Sequence, residues 1–400
     1  MFSENVNSAR SLISENAVSM PDKKYDLTIA ATYYEPYVSG FTQTVRSIAE
    51  GLSNRGWRVA VVAAQHDPEL PLRDVVGGVD VYRSPVLMRA GRRLIAPRYP
   101  ILAGQVAGNS SLLHLNLPTS GAGLLTSLAR RVPMVSMLHA DPHLPQSRFS
   151  QGLRHASDVA YRAAIRRSDA VVATSHDQAY ASRFWPVIRH RNFTPIAPPC
   201  LDRRGGQPHY RETRGLHVGF LGRIVADKGI GYLVRAFQRI TDPDARLLIA
   251  GNYHTAAGRS DLPVVQAEID RDSRVRILGE LRGREVNDLY ASIDVFALPT
   301  VAGSFGTVLA EAMMCGVPSV TTDLPGSRYP VTATGFGRLI PAGDPRALER
   351  AISELATAPR EWKEQKARAA RARFSVATSL DAHEVLFTSL RERTASRQHR

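Results

Sequence analysis

Between residues 216 and 229 the chain reads LHVGFLGRIVADKG, an apolar run followed by a turn that begins and ends in glycine. The run Leu216–Leu221 predicts a buried strand, and apolar residues at the spacing of one helix face follow it: Ile230, Leu233, Phe237 and Ile240. The connecting loop, Gly222–Gly229, places Arg223 and Lys228 five positions apart at the start of that helix. Backbone N–H groups, the positive helix end and two cations suit the oxygens of a diphosphate. The alternative for so short a pattern is a surface loop with incidental charges.

The alternation of strand and helix continues on the carboxyl side of this loop. Four further apolar runs predict strands: Arg246–Ala250, Val275–Leu278, Val295–Leu298 and Ser319–Thr322. Helical patterns close the chain: Asp344–Ala356, Arg360–Phe374 and Thr378–Arg393. Strands that alternate with helices are typical of a parallel sheet, so this half predicts one α/β domain.

The amino-terminal half shows the same alternation. Its apolar runs predict five strands: Tyr25–Thr32, Arg58–Ala64, Ser111–Leu117, Met134–His139 and Ala170–Thr174. The stretch Pro195–Arg214 is rich in Pro, Gly and Arg and has neither periodicity, which indicates a linker. We therefore predict an N-terminal extension (1–24), a first domain (25–205), a second domain (206–374) and a C-terminal helix (375–400). Two facing sheets of this kind would place a ligand cleft between the carboxyl ends of their strands.

The composition excludes several classes of protein. A chain of 400 residues with 44% hydrophobic and 22% charged residues resembles an ordinary globular protein and not a disordered one. Its two cysteines, Cys200 and Cys315, are too few for a disulfide framework or a multi-cysteine metal site. No apolar run is long enough to span a membrane, and the first twenty residues lack the pattern of a signal peptide. We expect a cytoplasmic protein.

The net charge of +14 is concentrated in one region of the first half. Residues 82–167 contain twelve arginines and only two acidic residues, Asp141 and Asp158. A basic face favours phosphorylated ligands or an anionic membrane surface. The chain also has 46 arginines against 5 lysines, so a general composition bias explains the charge equally well. Nucleic-acid binding has no supporting motif.

A second glycine-bearing loop follows the predicted strand Val295–Leu298. It runs from Pro299 to Thr307 and leads into an apolar helix that contains Glu311. A carboxylate in such a helix needs a partner. A pair of ligand hydroxyls or an arginine within the fold would serve.

The second half resembles one specific family through five segments: GRIVADKG, LLIAG, LGELRGREVNDLYASIDVFALPT, SFGTVLAEAMMCGVPSV and PAGDP. They are similar to the nucleotide-sugar half of the family 4 retaining glycosyltransferases. In the first half, the Gly40 loop, His114 in LLHLNLP and His139 at the end of VPMVSMLH match family positions in the same order. The resemblance implies a GT-B fold, in which two Rossmann-like parallel-sheet domains face each other across a central cleft and the last helix packs back on the first domain.

The resemblance also implies roles for individual residues. His139, Arg223 and Lys228 would be the catalytic residues, with His139 beside the transferred sugar and the two cations on the donor diphosphate. Glu311 would accept the ribose hydroxyls, and Gly40 would let its loop approach the diphosphate closely. The remaining donor-site residues would be Leu281, Ser304, Phe305, Gly306 and Thr307, the last four through backbone N–H groups.

Two positions depart from the family pattern. The first Glu of the acidic motif, Glu followed after seven residues by a second Glu, falls here on Gly303. The loop that often reads Gly-Ser-Arg-Glu ends here in Tyr329. Because the first Glu normally grips hydroxyls of the donor sugar, these changes leave the phosphate end intact and alter the sugar end.

The resemblance thus predicts a retaining, metal-independent glycosyltransferase. It would move a sugar from a nucleoside-diphosphate sugar, with no other cofactor, to a hydroxyl of a glycan, a lipid-linked acceptor or a small natural product. Its partners would be these two substrates, and peripheral contact with an anionic membrane stays open. The alternative is a GT-B protein that binds a nucleotide or glycan without transfer. A dinucleotide dehydrogenase is disfavoured, since no Gly-x-Gly-x-x-Gly with a downstream acid follows a strand.

Overall fold

The computed structural model describes residues 24–90, 93–139, 141, 148–251 and 262–398. Nearly all of the predicted N-terminal extension therefore lies outside the described residues, as does Arg92 of the basic region. Among the described helices, none has the length and apolarity that crossing a lipid bilayer requires.

The described residues of the first domain form ten strands and six helices. Its strands are β1 (Leu27–Ala30), β2 (Val59–Ala64), β3 (Arg73–Val76), β4 (Val79–Ser84), β5 (Met88–Ala90), β6 (Arg93–Ile95), β7 (Leu113–Leu117), β8 (Met134–Leu138), β9 (Ala170–Ala173) and β10 (Phe193–Pro195). Its helices are α1 (Gly40–Asn54), α2 (Tyr99–Gly108), α3 (Ala122–Leu128), α4 (Arg148–Arg167), α5 (His176–Ala181) and α6 (Trp185–Ile188).

Eight of these strands form one sheet in the order β10-β9-β8-β7-β1-β2-β4-β3, and β5 pairs with β6 in a separate hairpin. All neighbours in the large sheet are parallel except β3, which is antiparallel to β4. The strand order reverses between β1 and β7, and a ligand crevice opens at such a switch point.

The second domain has strands β11 (His217–Leu221), β12 (Arg246–Ala250), β13 (Val275–Gly279), β14 (Val295–Leu298), β15 (Ser319–Thr322) and β16 (Gly337–Ile340). Its helices are α7 (Ile230–Phe237), α8 (Leu262–Ile269), α9 (Arg284–Ser292), α10 (Thr307–Met314), α11 (Tyr329–Thr334), α12 (Pro345–Ala356) and α13 (Arg360–Phe374). The sheet is parallel throughout, in the order β13-β12-β11-β14-β15-β16. The predicted α/β class with two parallel-sheet domains is confirmed.

Each sheet is covered on both faces, as parallel sheets require. The short strands are continuous buried runs, for example Val59–Ala64 in the first domain and Val295–Leu298 in the second. Helix α4 packs through Ala164 and Ile165, whereas Ala156 and Ala163 are exposed. These two alanines therefore do not belong to the face that packs on the core.

The last helix, α14 (Val376–Gln398), lies on the first domain. Its Leu380 and Phe387 belong to the same buried cluster as residues of β1 and α1. At the surface, Glu384 accepts hydrogen bonds from Arg55 (2.6 Å) and from the indole of Trp57 (2.9 Å). The chain therefore crosses between the domains twice, and the crossings touch: the Cys200 N–H donates to the Phe374 carbonyl at 3.0 Å.

Candidate donor-binding site and family membership

The two glycine-bearing loops of the second domain meet at the switch point of its sheet. Strand β11 lies between β12 and β14, so the loops that follow β11 and β14 leave neighbouring carboxyl ends. Gly229 has φ +73°, and a Cβ on it would lie 2.0 Å from the Pro299 carbonyl oxygen. The loops also bond to each other, since the Val301 N–H and the Thr300 hydroxyl both donate to the Asp227 carbonyl. Glycine at 229 is thus required for the loops to close on one another.

The two predicted diphosphate cations converge on one carboxylate. Arg223 Nη2 lies 3.7 Å and Lys228 Nζ 3.8 Å from Asp227 Oδ2, and all three side chains are partly exposed. Two positive charges against one negative charge leave the loop with a net positive charge. It can therefore attract a diphosphate at the carboxyl edge of the sheet.

The start of helix α10 brings the first domain into the site. A Cβ placed on Gly40 would lie 3.4 Å from the Thr307 hydroxyl, so the loop after β1 abuts the first residue of α10. Gly306, which precedes that residue, has φ +65°, and the first amides of any helix lack a carbonyl partner within it. Of the other two predicted donors, the Ser304 N–H already donates to the Ser327 hydroxyl at 3.2 Å. The Phe305 side chain is buried in the core.

Glu311 has partners within the protein. Its carboxylate lies one turn into α10, with only 7% of the residue exposed. The Tyr290 hydroxyl donates to Oε2 at 3.3 Å, and Arg203 Nε lies 3.5 Å from the same oxygen. Burial raises the pKa of Glu311 above its usual value, and Arg203, the Leu201 N–H and Tyr290 act against that rise. The sequence left two partners open for this carboxylate, a pair of ligand hydroxyls or an arginine within the fold. The structure contains the arginine, Arg203.

Leu281 belongs to a loop that Arg203 also contacts. It is half-buried in the loop that follows β13, between two glycines of positive φ, Gly279 and Gly283. Arg203 also donates to the Gly283 carbonyl at 3.4 Å. The β13 loop, Glu311 and the linker arginine therefore form one cluster.

His139 directly follows strand β8 of the first domain. Its Nε2 lies 2.7 Å from Asn116 Oδ1, and the Asn116 amide group donates to the Ala30 carbonyl, which fixes Oδ1 as the acceptor. Nε2 therefore carries the proton, and Nδ1 is left as the acceptor in the neutral ring. Burial lowers the pKa of His139 well below its usual range, so the ring is neutral at physiological pH.

At Gly303, where the resemblance places the sugar end of the site, a neighbouring loop approaches closely. Gly303 does not have a positive φ, yet a Cβ on it would lie 2.3 Å from the Pro325 carbonyl oxygen. The same loop is held to the first domain: the Gly326 N–H donates to Asp177 at 2.9 Å, and Arg328 pairs with both oxygens of that carboxylate. A side chain at 303 would have to displace a loop that is anchored across the cleft.

Tyr329, the second departure from the family pattern, belongs to this loop's far end. Its hydroxyl accepts hydrogen bonds from Arg373 (2.7 and 3.2 Å), and its ring packs against Phe305 and Phe374. The residue that replaces the family's Glu is therefore committed to contacts inside the second domain.

Several other predicted features lie elsewhere. His114 is fully buried beneath α14, with its ring centroid 6.0 Å from that of His383, and does not line the cleft. Asp242 and Asp272 each accept a hydrogen bond from the backbone N–H two residues further on and so stabilise turns. Within the described ranges, no three His, Cys, Asp or Glu side chains lie close enough to hold a metal ion.

Sequence reasoning missed three residues of the site: Arg203, Asn116 and Asp177. Each acts through a partner distant in the sequence, and Arg203 and Asp177 lie outside the motifs that carried the resemblance. Asn116 offered the only local signal, because a polar residue in the buried run LLHLNLP needs a hydrogen-bond partner.

Two protein-family models match the chain in tandem. The model described as "Glycosyl transferase 4-like domain" matches residues 39–199, and "Glycosyl transferases group 1" matches residues 215–358. The matches together include Gly40, His139, Arg223, Lys228 and Glu311.

Curated relatives carry glycosyltransferase names. The chain is 28% identical over 355 residues to a GDP-mannose-dependent alpha-mannosyltransferase of Mycolicibacterium smegmatis, covering 84% of this chain and 90% of that protein. It is 26% identical over 349 residues to a D-inositol 3-phosphate glycosyltransferase of Xylanimonas cellulosilytica, covering 79% and 83%.

Solved structures share the fold. A sucrose-phosphate synthase from Thermosynechococcus elongatus superposes with a TM-score of 0.73 at 20% identity, covering 91% of this chain and 98% of that one. Anabaena HepE, solved with UDP-glucose, superposes with a TM-score of 0.67 at 21% identity, covering 91% and 99%. With two facing parallel-sheet domains and both glycosyltransferase domain matches in order along one chain, the protein is a family 4 glycosyltransferase of the GT-B fold.

Proposed function

We propose that the protein is a retaining, metal-independent glycosyltransferase that moves a sugar from a nucleoside-diphosphate sugar to an acceptor hydroxyl. The observation that carries this proposal is the cationic loop at the switch point of the second sheet. Arg223 and Lys228 lie there, and the start of α10 and Gly40 of the first domain complete the enclosure. A diphosphate fits this combination of cations, helix amides and a residue without a side chain.

In the proposed reaction the bond between the sugar anomeric carbon and the diphosphate oxygen breaks, and the acceptor oxygen bonds to the same face of that carbon. The acceptor proton passes to a phosphate oxygen of the leaving nucleoside diphosphate, so atoms and charge balance. Arg223 and Lys228 would neutralise the charge that develops on the diphosphate. They would thereby take the part that a metal ion plays in other transferases.

His139 would act in this reaction as a neutral hydrogen-bonding group. Asn116 holds its Nε2 proton, so Nδ1 can accept a hydrogen bond from a sugar hydroxyl. A ring kept neutral by burial does not contribute a positive charge to the sugar site. Its effect would be orientation of the sugar and not acid catalysis.

The acceptor would bind the first domain, and its chemistry is open between a glycan, a lipid-linked acceptor and a small natural product. Relatives named for inositol phosphate and for mannosyl transfer make phosphorylated and glycan acceptors the first to test. Helices α3 and α4 also expose Leu124, Leu128 and Val159 beside several arginines. That surface suits an anionic membrane, on which a lipid-linked acceptor would be presented.

A second candidate function is nucleotide or glycan binding without transfer. The observation that favours it is the sugar end of the site, where the Pro325 carbonyl fills the space beside Gly303. A donor that stabilises the protein and yet is neither hydrolysed nor transferred would favour this candidate.

The test begins with a thermal-shift screen over uridine, guanosine and adenosine diphosphosugars without added metal. A donor at about 100 times its Kd should add roughly 2.7 kcal/mol of stability. Turnover of the best donor is then measured in Arg223→Ala and Lys228→Ala, each of which should be slower by at least about 10²-fold. Arg235→Ala is the matched control, because Arg235 lies on α7 and pairs with Glu268 outside the site. Normal turnover in both loop variants would refute the site, and complete loss with a chelator would refute metal independence.

A further inference from the structure

The segment that joins the two domains lies against the helix that carries Glu311. Arg203, from this segment, places its guanidinium between two elements of the second domain. Nε is 3.5 Å from Glu311 Oε2, and Nη1 donates to the Gly283 carbonyl at 3.4 Å. The arginine side chain is 18% exposed and the glutamate side chain 9%, so the pair is buried with a narrow opening to solvent.

Glu311 has no other charged partner within ion-pair distance in the described part of the chain. The Tyr290 hydroxyl, which donates to it, also lies 3.0 Å from the Val308 carbonyl and so divides its single proton between two acceptors. A buried carboxylate without a cation protonates or relocates to solvent. The Leu201 N–H and the Tyr290 hydroxyl also act on this carboxylate, but Arg203 is the cation that favours its charged form.

The guanidinium is itself incompletely satisfied. Nε is buried and makes no hydrogen bond with any described residue, although Glu311 Oε2 lies 3.5 Å away. Its other contact, Gly283, closes the loop that contains Leu281. Arg203 thus connects the two elements, the β13 loop and Glu311, that we propose for the nucleoside.

We propose that Arg203 is a positioning residue for donor binding, which holds the Glu311 carboxylate charged and in place for the ribose hydroxyls of a nucleoside diphosphate. This role rests on the proposed function. Arg203 need not touch the donor, because its effect reaches the ribose through Glu311.

The experiment compares the binding of UDP, GDP and ADP with that of their 2′,3′-dideoxy counterparts by titration calorimetry. The ratio of the two Kd values isolates the ribose contribution, because the diphosphate and the base are the same in each pair. A hydrogen bond from a hydroxyl to a charged carboxylate corresponds to about tenfold or more in affinity. Arg203→Ala should reduce the ratio about tenfold, towards one, and Arg203→Lys should restore part of it.

The pH dependence of the same ratio gives a second readout. The groups that face Glu311 are Arg203 from the linker, Tyr290 from α9 and the thiols of Cys200 and Cys315. Loss of Arg203 leaves no positive charge among them to oppose protonation. In Arg203→Ala the ribose preference should therefore fall at a higher pH than in the wild-type protein.

Arg204→Ala is the matched control. Arg204 neighbours Arg203 but is exposed and pairs with Asp202, so its removal should leave the ratio unchanged. If Arg203→Ala melts at a much lower temperature than the wild type, Arg203→Lys supplies the comparison. An unchanged ratio and pH profile in a folded Arg203 variant, or an equal loss in Arg204→Ala, would refute the role alone. Failure of the wild-type protein to bind any of the three nucleotides would overturn the proposed function and this role together.

Discussion

Replacing His383 by leucine should make the protein less sensitive to acid. His383 lies on α14 with no exposed surface, its Nδ1–H donates to the Ser379 carbonyl at 2.8 Å, and its Nε2 has no hydrogen-bond partner among the described residues. The ring faces His114, which is equally buried and has neither ring nitrogen bonded. No described residue accepts a hydrogen bond from His383 Nε2 or from either ring nitrogen of His114, so an added proton would lie in a buried site without a partner. The protonated forms of both rings are therefore disfavoured by the fold.

The size and sign of the effect follow from the pKa of His383. Burial lowers it from 6.5, its ordinary value, to about 4. Because the folded pKa is the lower one, the unfolded chain binds the proton first, and stability is lost as pH falls from about 6.5 towards 4. At pH 5 this single group costs about 2 kcal/mol of folding free energy, and near pH 8 it costs almost nothing.

The assay is urea unfolding of wild-type protein and His383→Leu at pH 8 and at pH 5. The variant should be as stable as the wild type, within about 1 kcal/mol, at pH 8 and more stable by about 2 kcal/mol at pH 5. His155→Leu, an exposed histidine on α4, controls for the chemical change. A stability difference that is the same at both pH values would show that His383 does not titrate between them, which would refute the reasoning.

Two further predictions concern the sugar end and the basic surface. Gly303→Ala should destabilise the protein by about 1–3 kcal/mol, because its Cβ must displace the Pro325 carbonyl. The control is Gly108→Ala, which adds a Cβ in open space and should not destabilise the protein. Equal melting temperatures of the two variants would contradict the contact between Gly303 and Pro325. The protein should bind anionic vesicles more tightly than neutral ones, with a steep loss at high salt, and binding should weaken when three exposed arginines of the α3 and α4 surface are changed to serine: Arg130, Arg131 and Arg166. The control changes three exposed arginines of the second domain to serine: Arg346, Arg350 and Arg368. An equal loss of vesicle binding in this control would leave composition bias as the explanation.

The parts of the structure that the sequence predicted well are those in which neighbours in the chain determine the outcome. The loop Gly222–Gly229 is contiguous, and its glycines, cations and flanking apolar runs all lie within about one strand and one helix. The strands β3 and β4 escaped prediction, because Asp74, Asp80 and Arg83 interrupt their apolar pattern. In the fold these charged residues lie near the edge of the sheet, where Arg83 reaches Asp74.

In the candidate site, the two cations of the phosphate loop lie within one short stretch of sequence, whereas the contacts around Glu311 and Gly303 join residues distant in the chain. Nothing near Glu311 in the chain indicates Arg203, because the packing of the linker against α10 brings them together. In the sequence, Gly303 indicates only that a carboxylate is missing. In the structure, its backbone lies so close to the Pro325 carbonyl that a side chain at this position would require the Pro325 loop to shift. Such contacts depend on tertiary packing, which local patterns do not encode.

The two chain crossings between the domains bear on how the cleft can move. They run side by side near Cys200 and Ser375, joined by a backbone hydrogen bond, and the Ser379 hydroxyl ties α14 to the Ala197 carbonyl at 2.7 Å. A single connecting segment would allow one domain to rotate freely relative to the other. Two connecting segments bonded to each other resist both rotation about the line between the domains and translation along it. The motion that they restrain least is a hinge bending of one domain towards the other. Each closure would then return the Gly40 loop to the same place at the start of α10.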